Sequence, residues 1–194
     1  MTPSPTTSFA PAGSRRQLML AGLAAAVSGS AVAATAADAP SAAVTPTSAR
    51  IPVVLPRTEF VYESIVDLSP SLPLGASPFG ERFMVPIIGG SFEGPGLRGK
   101  VMAGGADRQL LRHDGAKNLD AIYELKTEDG VIISVRNTVL SRSPKDGPRY
   151  VFSTLQITAP EGKYGWLNDF VFVGTLSSLR PEREAAVIRV YKVV

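Results

Sequence analysis

From Thr58 onward, apolar and polar residues alternate with a period of two, the pattern of strands with one face on a core and the other in water. "TEFVYESIVDL" places Phe60, Tyr62, Val66 and Leu68 on one face and Glu59, Glu63 and Asp67 on the other. "RFMVPIIGG", "LRGKVMAGG", "ADRQLLRHD", "LDAIYELKT", "GVIISVRNTVL", "RYVFSTLQITA", "FVFVGTL" and "AAVIRVYKVV" follow, giving roughly nine segments. Turn chemistry separates them: Gly89–Gly90, Gly104–Gly105, Asp114–Gly115, Asp129–Gly130 and Asp146–Gly147–Pro148. Asp129–Gly130 predicts a two-residue hairpin, because aspartate tolerates and glycine favours positive φ. "FVFVG", Phe170 to Gly174, is continuously apolar and is expected to be covered on both sides. No stretch after residue 58 supports a long amphipathic helix; "RPEREAA" suits one turn at most.

The expected fold is all-β: a single antiparallel β-barrel of roughly eight to nine strands, closed so that no edge is left to aggregate. A two-sheet β-sandwich is the alternative that the pattern leaves open. Tyr123 shares a face with Ala121 and Leu125, so some polar groups should face the interior, as in a barrel that serves as a ligand cup.

The first fifty residues are different. They are rich in Ala, Pro, Ser and Thr, with no acidic residue before Asp38. Arg15 and Arg16 precede an apolar run, Leu18 to Val27, that is too short to anchor in a bilayer but has the length of a signal-peptide core. Small residues then suit cleavage after Ala33 or Ala36. "SRRQLML" resembles a twin-arginine export signal. The expected organisation is a leader over 1–36, a flexible Pro/Ala-rich arm over 37–57 and a β-domain over 58–194. The implied location is periplasmic or secreted, with the twin-arginine translocase as partner and membrane contact only during export.

Charge changes the picture little. Removing Arg15 and Arg16 with the leader leaves 18 basic against 17 acidic residues. No Lys/Arg run interleaves with aromatics, so a nucleic-acid partner is not expected. Cysteine is absent and there is one histidine, which removes thiolate chemistry and makes a metal site unexpected.

Several pieces of this sequence together resemble the DUF3237 (UPF0311) family of unknown function: "VYESIVDL", "GERFMVPIIGGSFEGPGLRGKVMAGGAD", "RHDGAKNLDAIYELKTEDGVIISVRN", "YGWLNDFVFVG" and "IRVYKV". The resemblance runs from about Phe60 to Val194 and implies a single antiparallel barrel. Arg108 stands where the family commonly has tryptophan, and Ile122 where it carries arginine. If the family cavity uses that aromatic and that cation, the pocket here is altered.

The chemical candidates are few. His113 beside Asp114 has the makings of a carboxylate-held general base, although "RHDG" reads more simply as a polar turn. Asp107, Asp114 and Asp120 offer carboxylates for acid–base work, with Tyr123 or His113 as proton donor. Asp120 opens a strand beside Tyr123 and needs a partner if it faces inward. Trp166 with Asn168 suggests an aromatic wall and an amide, and Tyr62, Arg82 and Asn137 are further candidates for the cup. "GGSFEGPGLRG" lacks the lysine and following helix of a phosphate cradle and reads as a bent hairpin or bulge. The sequence therefore favours a barrel binding a small apolar or aromatic molecule. Its alternatives are a cofactor-free isomerase, cyclase or hydrolase, and a solid-core structural or interaction protein.

Overall fold

The computed structural model describes residues 52–194; the leader and most of the arm lie outside the described residues. Ten strands run in chain order: β1 Thr58–Leu68, β2 Leu72–Ser77, β3 Gly80–Gly94, β4 Leu97–Val101, β5 Ala106–Arg112, β6 Lys117–Thr127, β7 Ile132–Arg142, β8 Tyr150–Thr158, β9 Phe172–Ser178 and β10 Ala185–Val193. All pairings are antiparallel, and the β1–β10, β9, β8, β7, β6 series returns through β5 and β3 to β1. Eight strands thus close a barrel, which settles the choice against a sandwich. Of the two others, β4 continues the line of β5 between β3 and β6. The second, β2, pairs only with β3, beyond the end of β1. Pro73, Gly75 and exposed positions along most of β2 hide it from an alternation search.

Register is set locally. Gly89 and Gly90 both have positive φ, and the β1–β3 register shifts there, with Leu68 opposite Ile87. A Cβ at Gly90 would sit 2.0 Å from the Ile65 carbonyl oxygen, so only glycine lets β3 pass that close to β1. A second shift in β1, between Phe60 and Tyr62, breaks the alternation read from the sequence. Val61 and Tyr62 are both buried, Ser64 takes an interior position, and Phe60 turns outward against Tyr191.

Two further expectations are corrected. The Asp129–Gly130 hairpin uses a three-residue loop, Glu128–Gly130, closed by Thr127 N donating to Val131 O at 2.9 Å; Gly130 supplies φ +86°. "FVFVG" is not covered on both sides: the strand starts at Phe172, which is buried, while Phe170 and Val171 are exposed. "RPEREAA" forms a single turn, closed by Arg183 N donating to Leu179 O at 3.1 Å, as expected; the helical segment among the described residues is a 3-10 helix, Gly165–Asn168.

The barrel is packed unevenly along its length. Near that 3-10 turn, Tyr62, Phe92, Leu97, Leu125, Ile133, Val135, Leu167 and Phe172 form a filled core. Each such side chain contributes roughly 1.5–3 kcal/mol by leaving water. Asn168 pins the turn to the end of β8: its Nδ2 donates to the Ala159 and Gly165 carbonyls, and its Oδ1 accepts from Ala159 N. The opposite end is hollow.

Candidate functional site: a cavity in the open end of the barrel

The hollow end encloses about 280 Å³. An engineered cavity of about 150 Å³ accepts benzene, so this one has room for a molecule of one or two rings. Its walls are apolar: Val85 and Ile87 from β3, Leu119 and Ala121 from β6, Val139 from β7, Leu176 from β9 and Ile188 from β10. Alternation on β5, β6 and β7 adds a set of polar side chains to the same surface: Asp107 and Gln109, Lys117 and Tyr123, Asn137 and Ser141. The rim carries Ser71, Arg149, Ser178 and Arg180.

Hydrogen bonds connect part of this set. Lys117 Nζ donates to Gln109 Oε1 at 3.0 Å, and Gln109 Nε2 donates to Asp107 Oδ2 at 2.5 Å. Arg149 Nη2 donates to Ser141 Oγ at 3.3 Å. Asp107 Oδ1, both polar atoms of Asn137 and the hydroxyls of Tyr62, Ser64, Tyr123 and Ser153 find no partner among the described residues although they are buried. Leaving a buried polar group unpaired costs about 1–3 kcal/mol, so such groups rarely collect in one place without a purpose.

Electrostatics follow from burial. Desolvation pushes the Asp107 carboxyl up, against the opposing Gln109 hydrogen bond and the Lys117 charge. Burial also raises Tyr123 and Tyr62 well above the ordinary phenol range, so both keep their O–H as donors at neutral pH. Their hydroxyls and Ser64 lie near enough to influence one another but do not form well-aligned hydrogen bonds.

The candidates named from the sequence divide sharply. Asp107, Tyr123 and Asn137 share the cavity, and Tyr62 lies buried beneath it against Phe92. Asp120 does not face inward: it sits on the outer wall, held by Arg136 through two bonds of 2.9 and 2.8 Å. Arg82 is also outside, on the strand face opposite Phe83 and Val85. His113 is exposed in the β5–β6 turn, where Nε2 donates to the Pro78 carbonyl at 3.2 Å. Asp114 pairs with Arg112 and accepts from Ala116 N in the same turn, so the three aspartates do not cluster. Trp166 and Asn168 lie at the filled end, away from the cavity, Trp166 packing on Phe170 and the core.

Arg108 and Ile122, the two departures from the family pattern, belong to the outward faces of β5 and β6 and leave the cavity wall untouched. Sequence reasoning missed Gln109, Lys117 and Ser141, although each follows from alternation with Asp107, Tyr123 and Asn137. Arg149 had no such signal, since it precedes β8 in a loop.

Relatives share this architecture. Residues 56–193 match DUF3237, described as a protein of unknown function. A UPF0311 protein of Clostridium acetobutylicum is 32% identical over 127 residues, spanning 59% of this chain and 78% of that one. The crystal structure of a conserved protein of unknown function from Rhodopseudomonas palustris superposes with a TM-score of 0.67 at 27% identity, covering 73% of this chain and 100% of the other. A β-barrel-like protein from Acinetobacter baumannii gives 0.67 at 29% identity, covering 74% and 99%. With its closed antiparallel barrel and a match over nearly all of the described residues, the chain belongs to the DUF3237 (UPF0311) family.

Proposed function

We propose that this barrel binds a small, mainly apolar or aromatic molecule in its open end, oriented by Asp107, Tyr123 and Asn137. The observation that carries this reading is the set of unpaired, buried polar atoms around an apolar cavity of about 280 Å³. Binding sites commonly have this composition, an apolar enclosure with a few convergent polar groups. A solid-core structural protein would instead fill the interior. Ligand-observed NMR with one- and two-ring aromatic fragments tests the proposal. Fragments should bind the full chain and lose contact in Ala121→Leu, which fills the cavity; equal binding by both proteins would refute it.

One feature favours a second reading, a cofactor-free enzyme moving a proton. Among the described residues Asp107 is the one carboxylate lining the cavity, burial raises its pKa, and one of its oxygens has no partner there. Of the five residues that the sequence offers for acid–base work, Asp107 and Tyr123 line the cavity and His113, Asp114 and Asp120 do not. Asp107 would then donate or accept the proton, with the Tyr123 hydroxyl holding a substrate oxygen. Asp107→Asn separates the two readings: a binder keeps much of its affinity, whereas an enzyme keeps affinity but loses turnover of the bound compound.

The leader supports export of this domain by the twin-arginine route to the periplasm or the exterior.

A further inference from the structure

We infer that the ligand of this cavity is an aryl carboxylic acid, its carboxylate held at the rim between Lys117 and Arg149 and its ring directed inward. The inference rests on the small-molecule reading above and adds the chemical class.

The charges at the rim carry it. Lys117 and Ser141 face each other directly in the β6–β7 register, which puts their backbones about 5 Å apart. The Arg149 guanidinium touches Ser141, so Lys117 and Arg149 flank the same point of the rim. Among the described residues neither cation is in an ion pair. The outer-wall arginines Arg136, Arg183 and Arg189 are paired with Asp120, Asp67 and Glu63, and Arg180, also at the rim, is paired with Glu184. The one carboxylate of the cavity, Asp107, lies deeper and already accepts from Gln109. Lys117 feels the charge of Asp107 only from a distance and Arg149 has no ion-pair partner among the described residues, so an anion placed between them gains from both, and the guanidinium fork matches a carboxylate.

The surroundings select an organic acid over an inorganic anion. Phe83 packs near Lys117, with Nζ 5.8 Å from the ring centroid, and the wall below is aliphatic. From Ser141 to Asn137 is four residues of one strand, about 13 Å. That depth takes a carboxylate and one or two rings, and leaves a hydroxyl or carbonyl on the far end to meet the unpaired Asn137 amide.

Isothermal titration of the full chain with matched acid and amide pairs tests this: benzoate and benzamide, 4-hydroxybenzoate and 4-hydroxybenzamide, 2-naphthoate and 2-naphthamide. The best acid should bind at least tenfold more tightly than its amide at low salt. Lys117→Met and Arg149→Gln should each shrink that ratio towards one by weakening the acid far more than the amide, with the melting temperature confirming that both variants fold. Amides binding as tightly as acids would overturn this inference but leave a small-molecule barrel standing. Inorganic phosphate binding as tightly as the acids would overturn it too, by showing that the ring contributes nothing. Failure of every acid and every amide to bind would overturn the inference and the proposed function together.

Discussion

The Gln109 side-chain amide donates to one oxygen of Asp107 at 2.5 Å, while the other oxygen of Asp107 has no protein partner. A carboxylate held this way is only half satisfied, and burial makes its charged form costly in the folded state. An unfolded aspartate titrates near 3.9 and the folded one higher, so this group's effect on stability is neutral at low pH. Its cost sets in as pH rises through the interval between the two values and is complete above the folded one. Asp107→Asn should therefore stabilise the protein by about 1 kcal/mol at neutral pH and by nothing near pH 3. Urea denaturation at the two pH values checks this; equal effects at both would contradict it.

Asp120 offers the opposite case. It is paired with Arg136, but both side chains are substantially exposed, 38% and 51%, so solvent screens the attraction. Asp120→Asn should cost less than about 1 kcal/mol, lose even that in high salt, and leave fragment binding unchanged. A large loss of binding would place Asp120 in the site after all.

Two glycines separate steric from conformational cost. Gly90→Ala would drive a methyl group into the Ile65 carbonyl and should cost more than about 3 kcal/mol, or prevent folding. Gly130→Ala meets nothing within 4 Å and bears only the strain of φ +86°, about 1–2 kcal/mol. Comparable losses in thermal denaturation would show that β1 and β3 are not in close contact.

Much of this architecture is legible in the sequence because alternation and turn residues are local signals. Strands β5, β6 and β7 fall where the pattern places them, and Tyr123 and Asn137 point inward as period two requires. The pattern misleads where geometry departs from period two. The irregularity at Phe60/Tyr62 moves Phe60 outward and brings Val61 in, and no residue there marks it as Gly89–Gly90 marks its own bulge. Asp120 lies close to Tyr123 in sequence, but the odd spacing puts the two on opposite faces, so the partner it needs is Arg136 on the outer wall. Trp166 and Asn168 suggest a binding site by type alone; only the packing of the filled end reveals Asn168 as a backbone clamp.

At the filled end, the Thr127 hydroxyl, the Lys163 ammonium and the Tyr164 hydroxyl hold the Asp129 carboxyl well below its usual range. A lowered folded value means that this stabilisation is present above about pH 4 and is lost as pH falls below it. Tyr164→Phe removes hydrogen bonds of 2.9 and 3.1 Å while keeping the buried ring. Its acid-unfolding midpoint should move to higher pH than that of the unsubstituted protein; an unchanged midpoint would show that the hydroxyl contributes nothing.

The proposed twin-arginine leader makes a separate prediction. Arg15→Lys together with Arg16→Lys conserves charge but removes the paired arginines, so the protein should remain in the cytoplasm. Unchanged export on fractionation would point to an ordinary secretory signal.

The central claim is that the open end of the barrel is a binding site for an aromatic molecule. A high-resolution crystal structure of the protein soaked with 4-hydroxybenzoate tests it most directly. The account predicts a ring between Val85, Leu119 and Val139, its carboxylate at Lys117 and Arg149, and its hydroxyl within hydrogen-bond distance of Asn137. A cavity holding only ordered water at saturating ligand, or a ligand confined to the outer wall, would contradict it.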